Sequence, residues 1–227
     1  MAHPLAELKE VSKTYLAGDA LIHALKDVSF RAEQGEFITV SGPSGSGKST
    51  FLHLMGAVDA PTSGQVFLGG REISRLSDEG LSEIRRNEVG FIHQFFHLMP
   101  TMTAYENIAL PLVLQGQKRP EIKEMAENAL ARVGLANRMR SYPRQLSGGE
   151  MQRVAVARAI IHKPRLILAD EPTGNLDTEN SQNVLELISE LHEEDGFTVV
   201  MATHDQMPLR YATRRVGITD GRLEGGC

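Results

Sequence analysis

The residues with the clearest chemistry form a glycine- and serine-rich turn that follows a short apolar run. Every fixed position of the pattern G-x-x-x-x-G-K-[ST] is filled by Gly42-Pro43-Ser44-Gly45-Ser46-Gly47-Lys48-Ser49. Thr50 prolongs the helix start. Such a loop surrounds a phosphate with backbone N–H groups, while Lys48 adds positive charge and the Ser49 hydroxyl can bind Mg²⁺. A plain strand-to-helix turn rarely places Lys-Ser there, so the sequence predicts a nucleotide phosphate site.

Two carboxylates follow a second apolar run. Asp170 and Glu171 come directly after residues 166–169, so a buried strand delivers them to its carboxyl end, where open α/β sheets bind ligands. Asp170 can hold Mg²⁺ through water, and Glu171 can orient or deprotonate an attacking water as a general base. The alternative is an acidic turn at a strand end. Phosphate chemistry needs both a cradle and a metal-holding carboxylate, and the loop upstream therefore favours the functional interpretation.

A second glycine-rich turn precedes a long helical run. It consists of Leu146-Ser147-Gly148-Gly149-Glu150, and the apolar positions of a helix follow it. This pattern predicts a second helix N-terminus that can hold an anion, although Ser147 is also an ordinary helix cap. One ATP needs one phosphate cradle. A second cradle, about a hundred residues away, therefore suggests that two copies share nucleotides across an interface.

The elements that must position these residues alternate between short apolar runs and longer amphipathic segments, which predicts an α/β protein. Buried strands are predicted at 36–40, 166–169 and 198–202, and helices are predicted from 49 onward, over 121–135 and around 184–191. The first 35 residues differ, because 8–15 and 25–31 resemble antiparallel strands joined by Ala17-Gly18-Asp19. Residues 95–141 lack a strand signal and are predicted to form a helical insertion.

Composition limits the classes of protein. The 227 residues are 41% hydrophobic and 23% charged, and the 24 Lys and Arg against 29 Asp and Glu give a net charge of -5, the wrong sign for a nucleic-acid partner. The single Cys227 predicts an exposed thiol and a reducing compartment. Neither a signal segment nor a run of about 18 apolar residues is present, so we expect any membrane role to come through a partner.

These motifs, in this order and over essentially the whole chain, resemble the ATP-binding subunit of ABC transporters. The resemblance implies a P-loop ABC ATPase fold, with a mainly parallel core sheet, an N-terminal antiparallel β subdomain and a helical insertion. It implies one domain, in which 1–35 with adjoining strands form the β subdomain, 36–94 and 142–227 the RecA-like ATP-binding core, and 95–141 the helical subdomain. It also implies ATP and Mg²⁺ as cofactors, a homodimer and an integral-membrane permease.

Individual roles follow from the same resemblance. Residues 146–150 would be the signature sequence that contacts the γ-phosphate held by the other protomer, with Glu150 in place of the commoner Gln. Tyr15 would stack on adenine. Gln94 would touch Mg²⁺ or the attacking water and sense the permease, and His204 would bond the γ-phosphate. Asn175-Leu176-Asp177 resembles the loop that crosses the dimer interface.

Two further histidines have the spacing of a metal site on a helix. His93 and His97 lie four residues apart, but Pro100 follows closely and a third ligand is not evident. We therefore predict that they do not bind zinc.

The neighbouring stretch predicts a docking surface for a short permease helix, with some of its members in the core: Phe95, Phe96, Leu98, Met99, Tyr105, Ile108, Leu110 and Leu112.

Within the family, residues 95–100 and 169–177 resemble the lipoprotein-releasing and macrolide-exporter subgroup. That subgroup pairs with permeases that have few membrane helices and a large extracytoplasmic domain, and it includes a cell-division ATPase that need not move a substrate. The implied location is the cytoplasmic side of the inner (plasma) membrane, with attachment through the permease. The cell-division role remains the alternative.

Rival classes share part of this pattern. A P-loop kinase would use Lys48 and Asp170, but it has no need of a second glycine-rich turn or a helical insertion. An ATP-driven DNA or ribosome factor would bring coiled-coil arms, tandem cassettes or basic surfaces, and the sequence contains none of these.

Overall fold

A computed structural model describes residues 3–18 and 20–224. The predicted exposed thiol of Cys227 and the Asp19 position of the predicted hairpin turn lie outside the described residues. The N-terminal part forms an antiparallel sheet in the order β2-β1-β4-β5. Its strands are β1 (Ala6–Ala17), β2 (Ala20–Ala32), β4 (Ser63–Leu68) and β5 (Arg71–Glu72). The predicted pairing of the first two strands is confirmed.

The core sheet has the order β10-β9-β3-β8-β7-β6. Its strands are β3 (Phe37–Ser41), β6 (Val89–His93), β7 (Leu166–Asp170), β8 (Thr198–Thr203), β9 (Arg214–Thr219) and β10 (Arg222–Glu224). Only β10 pairs antiparallel among these described strands. The central strands are buried on both faces, which explains their unbroken apolar runs and confirms the predicted α/β fold.

Helices cover both faces of this sheet. They are α1 (Lys48–Met55), α2 (Asp78–Asn87), α3 (Ala104–Leu114), α4 (Arg119–Arg132), α5 (Gly148–Ile160) and α6 (Thr178–Asp195). Side chains from α1 pack with the N-terminal sheet on one face, and side chains from α5 and α6 pack on the other. In the part of the chain that is described, no helix is both long and apolar enough to cross a bilayer.

The segment between β6 and β7 is helical. Its helices α3 and α4 share an apolar cluster with Val154 and Ala157 of α5 and with Leu146 and Ile161, which flank α5. The helix predicted over 121–135 begins and ends earlier, because Pro120 occupies the first turn and Gly134 adopts a left-handed conformation with φ 70°. Because residues 146–161 share the apolar cluster of α3 and α4, the packing of this helical segment continues past residue 141. The boundary at 141 stays a prediction.

Candidate active site

The residues of the predicted site lie at or just after the aligned ends of four strands of the core sheet. The register aligns His93 of β6 with Asp170 of β7, Asp170 with Ala202 of β8, and Ala202 with Val40 of β3. Because these strands are parallel, the residues that follow them emerge at the same edge. The loops that carry Gly42, Gln94, Glu171 and His204 therefore begin side by side, although they are far apart in sequence.

The loop after β3 depends on glycine for its shape. A Cβ at Gly42 would lie 2.1 Å from the carbonyl oxygen of Ile218, and one at Gly47 would lie 2.4 Å from that of Ala24. Gly47 also has φ 106°, which favours glycine. It precedes α1, and within the described residues no side chain caps this helix. The N–H groups of its first turn are therefore available to a ligand.

Lys48 lies inside this loop. Its side chain is 5% exposed, and its Nζ donates to the carbonyl oxygens of Gly42 at 2.9 Å and Pro43 at 3.0 Å. Ser46 Oγ is buried without a hydrogen-bond partner among the described residues. A glycine-shaped loop, an uncapped helix start and a buried ammonium together fit the phosphates of a nucleotide.

Glu171 lies between two basic groups. Its Oε1 is 3.0 Å from Nδ1 of His204 and 3.8 Å from Nζ of Lys48. The backbone of Glu171 is left-handed, with φ 47°, and its N–H donates to the carbonyl of Ala202 at 2.9 Å. Such a conformation is uncommon for a residue with a side chain and is typical of functional sites. It places the carboxylate toward the phosphate loop, while the side chain of His204 is 58% exposed.

Gln94 packs against the loop that follows Glu171. Its carbonyl oxygen accepts a hydrogen bond from Asn175 Nδ2 at 3.0 Å, and a Cβ at Gly174 would lie 2.6 Å from Gln94 Nε2. A side chain at position 174 would therefore displace the side chain of Gln94. The loop contributes to a cavity of about 190 Å³, whose lining includes Glu171, Leu176 and His204. Of the predicted interface residues 175–177, Leu176 lines this cavity and Asn175 bonds to the backbone of Gln94.

The oxygen donors predicted for Mg²⁺ come from three segments. Ser49 lies in the first turn of α1, Gln94 follows β6 and Asp170 ends β7. In the described chain, no three His, Cys, Asp or Glu side chains cluster in a way that could hold a metal without other ligands. Mg²⁺ commonly uses one or two protein oxygens together with substrate phosphates, and the donor set fits that mode.

Ser147 begins α5, at a distance in sequence from the phosphate loop. Its Oγ accepts from the N–H of Glu150 at 3.2 Å, and the Glu150 carboxylate accepts from the N–H of Ser147 at 2.8 Å. Arg138 Nε lies 2.9 Å from the same carboxylate. Among the hydrogen bonds and ion pairs of the described residues, none joins this turn to the phosphate loop. The structure therefore does not bring Ser147, Gly148, Gly149 and Glu150 into the site that their own chain forms.

The first turn of α5 packs closely on α6. A Cβ at Gly149 would lie 2.3 Å from Asn180 Oδ1. The pKa of Glu150 is lowered by its hydrogen bond to the Ser147 backbone and by Arg138, against the opposing effect of burial. Glu150 is therefore a carboxylate at neutral pH, and it carries negative charge into a turn that was predicted to hold an anion.

Tyr15 lies in β1, near the end of the hairpin. Its phenol donates to Asp59 at 2.8 Å. Asp59 was not predicted from the sequence, since a single acid in a turn carries no motif. Gln152 was not predicted either; it is fully buried, and its Nε2 donates to the carbonyl oxygens of Pro172 at 2.5 Å and His93 at 3.3 Å. A glutamine among the apolar positions on the buried face of α5 is the signal that could have indicated this residue.

A groove lies beside β6 and α3. It has a volume of about 430 Å³, and its lining includes Arg86, His93, His97, Leu110 and Leu114. The His93 and His97 rings are 4.5 Å apart. Burial, His97, Arg158 and His53 lower the pKa of His93 to about 4, so it is neutral at physiological pH.

The apolar residues predicted to dock a permease divide between surface and core. Phe95 is 67% exposed and Met99 is 45% exposed, whereas Ile108 and Leu112 are buried in the cluster that joins α3, α4 and α5. Leu98 and Tyr105 pack against that cluster. Val113 and Leu114, which were not predicted, are exposed at the end of α3.

Comparisons with known proteins assign the chain to a family. The ABC transporter family model matches residues 25–174. An uncharacterized ABC transporter ATP-binding protein of Thermotoga maritima is 47% identical over 96% of this chain and 93% of its own length. The lipoprotein-releasing system ATP-binding protein LolD of Geobacter metallireducens is 44% identical over 96% of this chain and 97% of its own.

A solved structure of an ATP-binding cassette is similar to this chain in both fold and sequence. The ATP-binding cassette MJ0796, in a dimeric post-hydrolysis state bound to ADP and Pi, superimposes with a TM-score of 0.89 at 42% identity, over 96% of both chains. The family match and this likeness confirm the predicted ABC ATPase fold and enzyme class. The chain therefore belongs to the ABC transporter family, as one of its ATP-binding subunits, and it is an ATPase.

Proposed function

We propose that two copies of this chain close head to tail around two ATP molecules and drive an integral-membrane permease. The observation that carries the proposal is the placement of Glu171 between Lys48 and His204, at the strand edge that also presents the phosphate loop. A carboxylate in this position can act on a water aligned with the γ-phosphate.

The loop 42–47, the first turn of α1 and Lys48 bind the β- and γ-phosphates. Ser49 and Asp170 would hold Mg²⁺, Asp170 through water, and Gln94 would contact either Mg²⁺ or the attacking water. A metal ion held there would supply positive charge to the phosphate oxygens. Glu171 accepts a proton from the attacking water. The water oxygen then forms a bond to the γ-phosphorus as the bond to the ADP oxygen breaks, and His204 donates a hydrogen bond to the γ-phosphate.

The second glycine-rich turn completes the site of the partner copy. The N–H groups of Gly148 and Gly149 and the hydroxyl of Ser147 are donors at the start of α5, suited to a γ-phosphate. In the proposed dimer, the turn of one protomer lies over the phosphate loop of the other. Residues 175–177 run along the interface. The dimeric state of the MJ0796 cassette supports this arrangement.

The groove beside α3 receives a short permease helix. Its lining combines apolar Leu110 and Leu114 with basic Arg86, so we expect an amphipathic helix with an acidic residue. His93 lies in the groove and is followed directly by Gln94, which connects docking to the site. The LolD relatives support a permease of the lipoprotein-release type. The location that we propose is the cytoplasmic side of the inner membrane, with attachment through that permease.

Glu171→Gln tests the catalytic proposal. We expect retained ATP binding, a phosphate-release rate lowered by about 100-fold or more, and a stable dimer with ATP and Mg²⁺ in size-exclusion chromatography with light scattering. Lys48→Ala is the control, which should bind ATP too weakly to form the dimer and should stay monomeric. Unchanged hydrolysis by Glu171→Gln would remove Glu171 from the role of base.

The same variant tests the partner. Purification of Glu171→Gln from native membranes with ATP, followed by mass spectrometry, should enrich a permease with a large extracytoplasmic domain. Leu114→Asp should abolish this enrichment, whereas Leu21→Asp should not, because both leucines are exposed, at 62% and 64%, but only Leu114 lines the groove. A division protein in place of a transporter would favour the cell-division role.

A further inference from the structure

A hydrogen bond joins the N-terminal sheet to the loop that follows the phosphate-loop helix. The phenol of Tyr15, in β1, donates to Asp59 Oδ2 at 2.8 Å across 44 residues of sequence. Asp59 lies shortly after the end of α1, whose first turn belongs to the phosphate site. The bond therefore sets the position of the aromatic ring relative to the helix that holds the phosphates.

Asp59 is itself held on several sides. Lys13 Nζ donates to Asp59 Oδ1 at 2.6 Å and to the carbonyl of Ala60 at 2.7 Å, and the N–H of Ala60 donates to the same Oδ1 at 2.7 Å. Burial would raise the pKa of Asp59, but hydrogen bonds from Lys13 and Tyr15 lower it below its ordinary value. Asp59 is thus a fixed carboxylate, and one of its oxygens faces the phenol.

The ring of Tyr15 is also constrained. Lys13 Nζ lies 4.9 Å from the ring centroid, over one face. Burial raises the pKa of the phenol, a Thr50 hydroxyl opposes this, and Asp59 raises it further, so the phenol remains a donor. Thr50 belongs to α1. The ring is therefore held by Lys13 on one face and by Asp59 at the phenol, and a stacked base would have to lie on the face opposite Lys13.

We propose that Asp59 is a positioning residue for nucleotide-base recognition. It holds Tyr15 in the orientation that stacks adenine and contacts no nucleotide atom itself. This inference rests on the proposed function, in which Tyr15 is the adenine platform. The Lys13 and Asp59 side chains are only 13% and 29% exposed, so removal of Asp59 also leaves a largely buried ammonium without its carboxylate, and the folding of each variant must be verified.

The discriminating measurement compares two ligands by isothermal titration calorimetry. ATP has both a base and phosphates, whereas inorganic triphosphate has the phosphates alone. We expect Asp59→Ala to weaken ATP binding about tenfold and to change triphosphate binding less than about twofold. Asp59→Asn retains an acceptor for the phenol and should recover most of the ATP affinity. Circular dichroism melts verify that each variant is folded.

A matched control uses the same strand. Glu7 in β1 pairs with Arg31 at 2.7 Å, far along the strand from Tyr15. Glu7→Gln should leave the affinities for both ligands unchanged. Tyr15→Phe removes the phenol, so adding Asp59→Ala to it should weaken ATP binding by no more than about twofold further.

The outcomes separate the inference from the function on which it rests. Equal losses for ATP and triphosphate, or no loss in Asp59→Ala, would overturn the positioning role and leave the ATPase assignment intact. If Tyr15→Ala does not change the ratio of the two affinities, Tyr15 is not the adenine platform and the inference is also wrong. A wild-type chain that binds neither ligand would contradict the proposed function itself.

Discussion

The two glycine-rich helix starts of this protein differ in what satisfies their backbone N–H groups. At α1, Gly47 precedes the helix, and no side chain of the described residues caps it. At α5, Ser147 and Glu150 form a capping box that uses donors of the turn internally. The α1 start also has a buried ammonium from Lys48, whereas the α5 start has a carboxylate from Glu150.

Two similar sequence signals therefore produce anion sites that differ in how complete each one is within a single chain. The α1 start is an anion site within one chain, because free N–H groups and positive charge lie together. The α5 start keeps the donors of Gly148 and Gly149, but its charge is unfavourable for an anion and is balanced, among the described ion pairs, by Arg138 at 2.9 Å. Its anion affinity must therefore depend on a phosphate that is already held by another group, as the proposed dimer supplies.

The largest effect should come from removing the charge at α1. Lys48→Ala should weaken ATP binding by about 100-fold or more, because a buried, charge-assisted contact is lost. Equilibrium titration with a fluorescent ATP analogue measures this loss. Lys123→Ala is the control, since Lys123 is 69% exposed and, in the part of the chain that the structure describes, pairs with Glu127 on its own helix. Near-normal ATP binding by Lys48→Ala would show that the loop alone defines the site.

The next effect concerns α5 and should appear only in the dimer. Ser147→Arg should leave ATP binding by the monomer within about twofold of the parent, yet abolish the ATP-dependent dimer of Glu171→Gln. Light scattering measures the dimer. Ser147→Thr retains a capping hydroxyl and should still dimerise. Persistence of the dimer in Ser147→Arg would contradict the proposed role of this turn.

Charge at α5 should be tunable in both directions. Glu150→Gln keeps the capping box but removes the negative charge, so we expect dimer formation at an ATP concentration about two- to fivefold lower. Arg138→Ala leaves Glu150 uncompensated and should raise that concentration by a similar factor. Titration of the dimer with ATP in the Glu171→Gln background tests both. Shifts in the same direction would indicate that charge at this turn is irrelevant.

The smallest effect should appear in the pH dependence of stability. The folded state lowers the pKa of Glu150, so its stabilising contribution is complete above the unfolded value near 4.5 and is lost as the pH falls through the folded value. Glu150→Gln lacks this titration. Its free energy of unfolding, measured in urea, should decline less steeply below about pH 4.5 than that of the wild type. Parallel declines would show that the capping carboxylate contributes nothing measurable.

Much of the fold could be predicted because its signals are local. The strands β3, β7 and β8 are apolar runs that end within one residue of their predicted limits, as boundary assignments usually do. The phosphate loop could be recognised because its glycines are required by the backbone itself. The limits of α4 follow from Pro120 and Gly134, which are also local signals, but the apolar periodicity alone placed them incorrectly.

The sequence allowed most residues of the site to be predicted, but not all of the contacts between their side chains. Glu171 and His204 could be proposed from their positions after strands, but the 3.0 Å contact between them depends on the register of β7 and β8. Asp59 could not be found, because its partner Tyr15 is 44 residues away. The capping box at Ser147 is compatible with the sequence. The charge balance of this turn depends also on Arg138, which the fold brings within 2.9 Å of Glu150.

The sequence by itself determined which chemical groups the protein has and the local backbone that presents them. Glycine, apolar periodicity and capping residues act over a few neighbouring positions, so their effects can be derived from adjacent residues. Only the tertiary structure decided that β8 lies between β3 and β7, that Gln152 is buried against His93 and Pro172, and that Asp59 holds Tyr15. These contacts arise from chain segments distant in sequence, whose approach is governed by the packing of the whole core.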